Sequence, residues 1–213
     1  MNNNLTELVC ILDMSGSMMH LTDDTIGGYN SFIAEQKKQP GEAVLTTVLF
    51  DDRYILLYDH VDIKNTGELT TDDYRPCGCT ALMDAVGKTI VSVGQRLADT
   101  PEEERPGKVI FMITTDGYEN ASKEYTRAKV REMIMHQKEK YSWEFIFIGA
   151  GIDAYAEARS IGIDGLSAMS VSASSFGTKT AYCSITSAVN TIRSGTALDD
   201  RWKNGQTESS AVL

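Results

Sequence analysis

The hydrophobic positions of this chain fall in blocks of two periods, short unbroken apolar runs and longer stretches with helical spacing. Residues 8–12, Leu-Val-Cys-Ile-Leu, contain no polar position, which reads as a short strand buried on both faces. Residues 22–39 follow as a helix, with Ile26, Tyr29 and Ile33 on its inner face and Phe32 a further candidate. Thr22 or Asp23 would cap it, and Pro40-Gly41 ends it. Residues 43–50 and 54–58 are strand-like around the turn Asp51-Asp52-Arg53, a spacing that predicts a hairpin.

A polar connection over 64–79 leads into a helix at about 81–98, a strand at 108–114 and a helix at 122–140. A strand at 143–148, a short helix at 153–161, a candidate edge strand at 168–171 and a helix at 174–193 complete the series. Such β-α alternation predicts an α/β fold, a doubly wound, mostly parallel sheet with helices on both faces. The early hairpin adds one antiparallel edge strand. The domain is expected over residues 1–197, and residues 198–213, polar and small apart from Trp202, read as a flexible carboxyl-terminal tail.

Composition narrows the picture. With 213 residues, 23% charged and 42% hydrophobic, the chain suits one well-buried soluble domain. A net charge of −10 argues against a nucleic-acid footprint and against binding an anionic membrane surface. The amino terminus has no basic segment and its apolar run is five residues long, which is not a secretory signal, so a cytoplasmic location is expected. The four cysteines form no disulfide framework, and Cys77-Gly78-Cys79, with no second pair or nearby histidine, is a weak zinc signal.

The chemistry concentrates where strands end. Asp13-Met14-Ser15-Gly16-Ser17 directly follows the first strand and puts three oxygen-bearing side chains at alternate positions. In an open α/β sheet ligands bind in that crevice, and Gly16 lets the backbone turn tightly there. One carboxylate and two hydroxyls form a hard-oxygen set suited to Mg²⁺ or Mn²⁺. The bland reading is a helix cap, since Asp and Ser are preferred capping residues. Two further segments bear on the choice. Thr80, in Gly78-Cys79-Thr80-Ala81-Leu82, stands at the start of a helix, where its hydroxyl can cap the helix or turn onto a metal. Asp116, in Thr115-Asp116-Gly117, closes a second buried strand and would share the crevice with Asp13 if the two strands are neighbours.

Together, the D-x-S-x-S of Asp13, Ser15 and Ser17, the later Thr80 and the Thr115-Asp116-Gly117 turn resemble the von Willebrand factor A domain family, as a bacterial-type cytoplasmic member. The resemblance extends from about residue 5 to residue 195. It implies a Rossmann-like sheet of six strands with the third antiparallel, and it makes the five positions Asp13, Ser15, Ser17, Thr80 and Asp116 a metal-ion-dependent adhesion site. Ser15 and Ser17 would bind the ion directly, Asp13 and Asp116 directly or through water, and Thr80 directly in the ligand-competent form. Two carboxylates balance a divalent ion and leave it electrophilic, so an outside Asp or Glu carboxylate can take a coordination position. The implied function is a non-enzymatic, metal-dependent protein-binding module. Such members often act beside an ATPase, kinase or phosphatase.

Competing readings are weaker on the residues. A phosphohydrolase with Asp13 as nucleophile would need a second Asp two residues on, where Ser15 stands, and no lysine is clearly placed to complete it. A scaffold domain whose site stays empty is the other alternative. Gly87-Lys88-Thr89 lies inside a helix pattern rather than between strand and helix, which argues against a phosphate loop. Gly149-Ala150-Gly151-Ile152-Asp153-Ala154 fits a dinucleotide turn but follows a late strand and has no convincing acid about twenty residues on. His20, His60 and His136 are scattered and expected to face solvent, as is the acidic run Glu102-Glu103-Glu104.

Overall fold

The computed structural model describes residues 1–204. Its strands are β1 (Asn2–Asp13), β2 (Glu42–Phe50), β3 (Tyr54–Asp62), β4 (Pro106–Thr115), β5 (Glu144–Ala150) and β6 (Ala168–Val171). Its α-helices are α1 (Thr22–Lys38), α2 (Leu82–Asp99), α3 (Arg127–Tyr141), α4 (Ala154–Ser160) and α5 (Ser175–Arg193). The strands form one six-stranded sheet in the order β3-β2-β1-β4-β5-β6. All neighbours are parallel except β2 and β3, so the hairpin supplies an antiparallel edge as expected.

Strand β1 sits at the centre because its residues are apolar on both sides of the pleat. Leu8, Cys10 and Leu12 pack under α1 and α5 with Tyr29, Phe32, Ile185 and Val189. Val9 and Ile11 face the other layer with Val86 and Ile90 of α2, Val130 of α3 and Ala158 of α4. Alternate side chains of a strand leave opposite faces, so a two-sided core requires an unbroken apolar run. Each fully buried Leu or Ile of β1 contributes about 1.5–3 kcal/mol of transfer free energy.

Several boundaries differ from the sequence reading. Helix α3 starts at Arg127 rather than near residue 122, because the N–H groups of Lys123, Glu124 and Tyr125 all donate to the Asp84 carboxylate and are drawn out of any helical ladder. Thr126 then caps α3 by accepting the Lys129 N–H. Neither Thr22 nor Asp23 caps α1, which runs straight on from a 3-10 helix over Gly16–Leu21. Strand β3 continues to Asp62 through a bulge in which His60 takes φ 55°. His60 is therefore half-buried, with Nδ1 3.4 Å from the Glu7 carboxylate, and does not simply face solvent. Glu7 is fully buried on β1 and is neutralised by Arg96 of α2.

The tail reading fails over part of its span. Asp200–Asn204 forms a 3-10 helix. Trp202 within it is 2% exposed, and its indole N–H donates to the Leu166 carbonyl at 2.8 Å. A lone aromatic in a polar stretch has buried its ring against α5. Residues 205–213 lie outside the described residues. Among the described residues, no helix is long and apolar enough to cross a membrane.

The two phosphate-loop decoys resolve locally. Gly87, Lys88 and Thr89 lie within α2, and a Cβ on Gly87 would fall 2.4 Å from the Tyr125 ring, so the glycine admits an aromatic side chain. A Cβ on Gly149 would meet Ala154 and Ile152 at 2.7 Å, so this βα turn needs a glycine for packing alone.

Candidate metal centre

The carboxyl ends of β1 and β4 lie side by side, since Leu12 pairs with Thr114. Parallel pairing thus brings Asp13 and Thr115 together although they lie 102 positions apart. Asp13 is fully buried. One carboxylate oxygen accepts the Ser15 N–H at 2.7 Å, and the other accepts the Thr115 hydroxyl at 2.5 Å. Its backbone carbonyl takes the Tyr74 hydroxyl at 2.5 Å.

The loop that follows is pinned by backbone. Met14 N–H donates to Phe50 O at 2.6 Å, Cys77 N–H to Met14 O at 2.9 Å and Gly16 N–H to Gly78 O at 3.1 Å. These bonds fix the two serines. Ser15 Oγ lies 3.1 Å from Ser17 Oγ, and the Ser17 hydroxyl donates to Asp116 at 2.5 Å. A hydroxyl chain therefore links the turn after β1 to the turn after β4. Ser15 stands at the cap position of the 3-10 helix but makes no side-chain cap bond, so the capping account does not explain its hydroxyl.

Thr80 precedes α2 and is 3% exposed. A Cβ on Gly117 would lie 3.0 Å from Thr80 Oγ1 and 3.7 Å from Ser17 Oγ, so both hydroxyls converge on the space that glycine leaves open. All five residues singled out from sequence thus stand at one crest. Thr115 and Tyr74 were missed. Thr115 was visible beside Asp116 as a hydroxyl at a strand end, whereas Tyr74 sits in a polar connection with no periodicity to mark it.

Electrostatics decide what this arrangement suits. Burial pushes the Asp13 carboxyl up to about 6, against the hydrogen bonds from Thr115 and Ser15, and the Asp116 charge adds to the rise. Burial raises Asp116 as well, opposed by the Ser17 hydroxyl and by His20. Two carboxylates are thus drawn together out of water with no lysine or arginine among the groups acting on them. Buried charge without a partner is costly, and a divalent cation is the counter-charge that hydroxyl and carboxylate oxygens bind together. The donor set of Asp13, Ser15, Ser17, Thr80 and Asp116 fits such an ion. Among the described residues no three His, Cys, Asp or Glu side chains gather as a metal cluster, and hydroxyls make up three of the five candidate donors.

No family model and no curated protein matches the chain. Solved structures do. Proximal thread matrix protein 1 from the mussel byssus aligns with a TM-score of 0.59 and 16% identity over 85% of this chain and 45% of its own length. The ArnB paralog VWA2 from Sulfolobus acidocaldarius gives 0.56 and 16% over 87% of this chain and 45% of its own. The manganese-loaded TRAP protein of Plasmodium vivax gives 0.54 and 15% over 81% and 70%. A further structure of the mussel protein carries zinc in its adhesion-site motif. This chain spans under half the length of the mussel and Sulfolobus proteins. At these identities the likeness concerns the fold, and that fold is the von Willebrand factor A fold.

Proposed function

We propose that this chain is a divalent-cation-dependent protein-binding module that takes an Asp or Glu carboxylate of a partner protein at an ion held by Asp13, Ser15, Ser17, Thr80 and Asp116. The observation that carries this reading is the pair Asp13 and Asp116, two carboxylates at the sheet crest, joined through serine hydroxyls and balanced by no lysine or arginine. Mg²⁺ or Mn²⁺ suits the all-oxygen set. When bound, the ion would supply a Lewis-acidic position that accepts an external carboxylate.

The roles divide by burial. Asp13 anchors from within, with both oxygens already oriented by Ser15 and Thr115. Ser15 and Ser17 offer neutral oxygens that leave the ion electrophilic. Asp116, half-buried, faces the crest from the neighbouring strand. Manganese in the TRAP structure and zinc in the mussel protein support an occupied site on this fold. A non-enzymatic role suits the site better than nucleophilic attack by Asp13, because Ser15 stands two residues on, where such enzymes carry a second acid, and no lysine or arginine acts on either carboxylate. A reducing, cytoplasmic setting suits the exposed thiols Cys77, Cys79 and Cys183. An ATPase, kinase or phosphatase is the partner class we favour, on family resemblance, with nucleic acid and membrane disfavoured by the net charge of −10.

Calorimetric titration of the metal-stripped protein with Mg²⁺ and with Mn²⁺, beside Asp13→Ala and Asp116→Ala, tests the reading. Saturable binding in the wild type that both variants lose is expected. Binding of equal strength in all three would refute it.

A further inference from the structure

The loop after β4 and the start of α2 grip each other through Glu119 and Asn120 of the loop and Asp84 of the helix. Glu119 accepts the Met83 N–H at 2.8 Å while also taking the N–H groups of Ala121 and Ser122. Asp84 returns the grip on Lys123, Glu124 and Tyr125. Between them, Asn120 Oδ1 accepts the Thr80 N–H at 2.9 Å, and the Asn120 N–H donates to the Thr80 carbonyl at 3.0 Å. Both backbone polar groups of Thr80 are therefore held by one residue, and Ala121 N–H adds a second bond to the same carbonyl at 3.2 Å.

Helix capping accounts for Glu119, since the first N–H groups of any α-helix need acceptors. It does not account for Asn120. Thr80 precedes the α2 cap position, Ala81, so its N–H is not among those the helix leaves unpaired. The asparagine side chain is exposed and makes no other hydrogen bond among the described residues, so core packing does not explain it either. The Thr80 hydroxyl, by contrast, has no hydrogen-bond partner among the described residues while it stands 3.0 Å from the Cβ position of Gly117. The backbone of Thr80 is fixed and its side-chain oxygen is left free toward the crest.

We propose that Asn120 is a positioning residue that sets the Thr80 hydroxyl toward the metal centre before any cation or partner arrives, an inference that rests on the metal-centre reading. Thr80 is then a standing ligand of the centre. The residues that carry Asp116 also place Thr80, so two arms of the site are held in register by a single loop.

Mn²⁺ titration of the wild type, Asp13→Ala, Thr80→Ala, Asn120→Ala, Asn120→Asp and the Asn120→Ala/Thr80→Ala double variant tests this, with amide exchange at Thr80 followed in the metal-free protein. Asn120→Ala is expected to weaken Mn²⁺ binding about tenfold or more, the usual effect of removing a group that orients a ligand. Asn120→Asp, which keeps the acceptor, should restore binding to at least the wild-type level. In the Thr80→Ala background, Asn120→Ala should have no further effect. The Thr80 amide should exchange faster in metal-free Asn120→Ala than in the wild type. A variant that melts earlier yet binds Mn²⁺ as tightly as the wild type overturns the proposal, as do independent effects of the two substitutions. Equal titrations of wild type and Asp13→Ala overturn the metal-centre reading itself, and this inference with it.

Discussion

Thr115 Oγ donates to Asp13 Oδ2 at 2.5 Å across the β1–β4 junction, joining two side chains that are each no more than 2% exposed. The bond orients a carboxylate that burial has made expensive to ionise. Hydrogen bonds to charged groups contribute about 1.5–3 kcal/mol. Thr115→Val keeps the shape and removes the donor. Urea unfolding of the metal-free variant is expected to show a loss of about that size, with the dependence on denaturant unchanged.

Gly28 of α1 lies against Tyr182 of α5, and a Cβ there would fall 2.1 Å from the ring. Gly28→Ala must push these helices apart or turn the tyrosine out of its buried position. Overpacking of this kind costs about 1–3 kcal/mol. The variant's melting temperature should fall, and Tyr182→Leu in the same chain should recover part of the loss by vacating the ring.

Asp84 gives a pH dependence of known sign. Burial pushes its carboxyl up, but the N–H groups of Lys123, Tyr125 and Glu124, with Lys88, outweigh burial and hold it below the ordinary 3.8. The folded chain therefore holds this proton less tightly than the unfolded one. The stabilisation is present above pH 3.8 and disappears as pH falls through the lowered value. Asp84→Asn should be less stable than the wild type at neutral pH, and the gap should close as acid is added below about pH 4. A gap constant down to pH 2 would exclude this account.

Trp202 should behave as a core residue. Trp202→Ala removes a 2% exposed ring and leaves the Leu166 carbonyl without its donor. A loss of about 3–5 kcal/mol is expected, read from the shift of the chemical unfolding midpoint.

How much of this was legible in the sequence follows from which signals are periodic. The unbroken run at 8–12 and the run before Asp116 announced the central strands, and acids at their ends announced the crest, because topology forces parallel strand ends together. The start of α3 was not legible. Residues 122–126 fit a helical pattern, and only the positions of Asp84 and Glu119 in space show that their N–H groups are spent elsewhere. Trp202 and Tyr74 were missed for a related reason. Each is a single apolar residue among polar ones, and a lone anchor has no period. Asn120 escaped because its target, the Thr80 backbone, is fixed only when two loops meet.

The distance in sequence between Asp13 and Thr115 also fixes when the crest can exist. Strand β1 lies at the centre of the sheet, yet its partner β4 is made about a hundred residues later. At about 5–20 residues per second, roughly 5–20 s separate the synthesis of Asp13 from that of Asp116. Pairings of such long range also slow the search for the native topology. A ribosome-bound chain that has not yet released β4 therefore exposes Asp13, Ser15 and Ser17 as an ordinary polar turn. The crest comes into being only once β4 has joined β1, and a ligand that needs both strand ends has no site on a chain halted before that point.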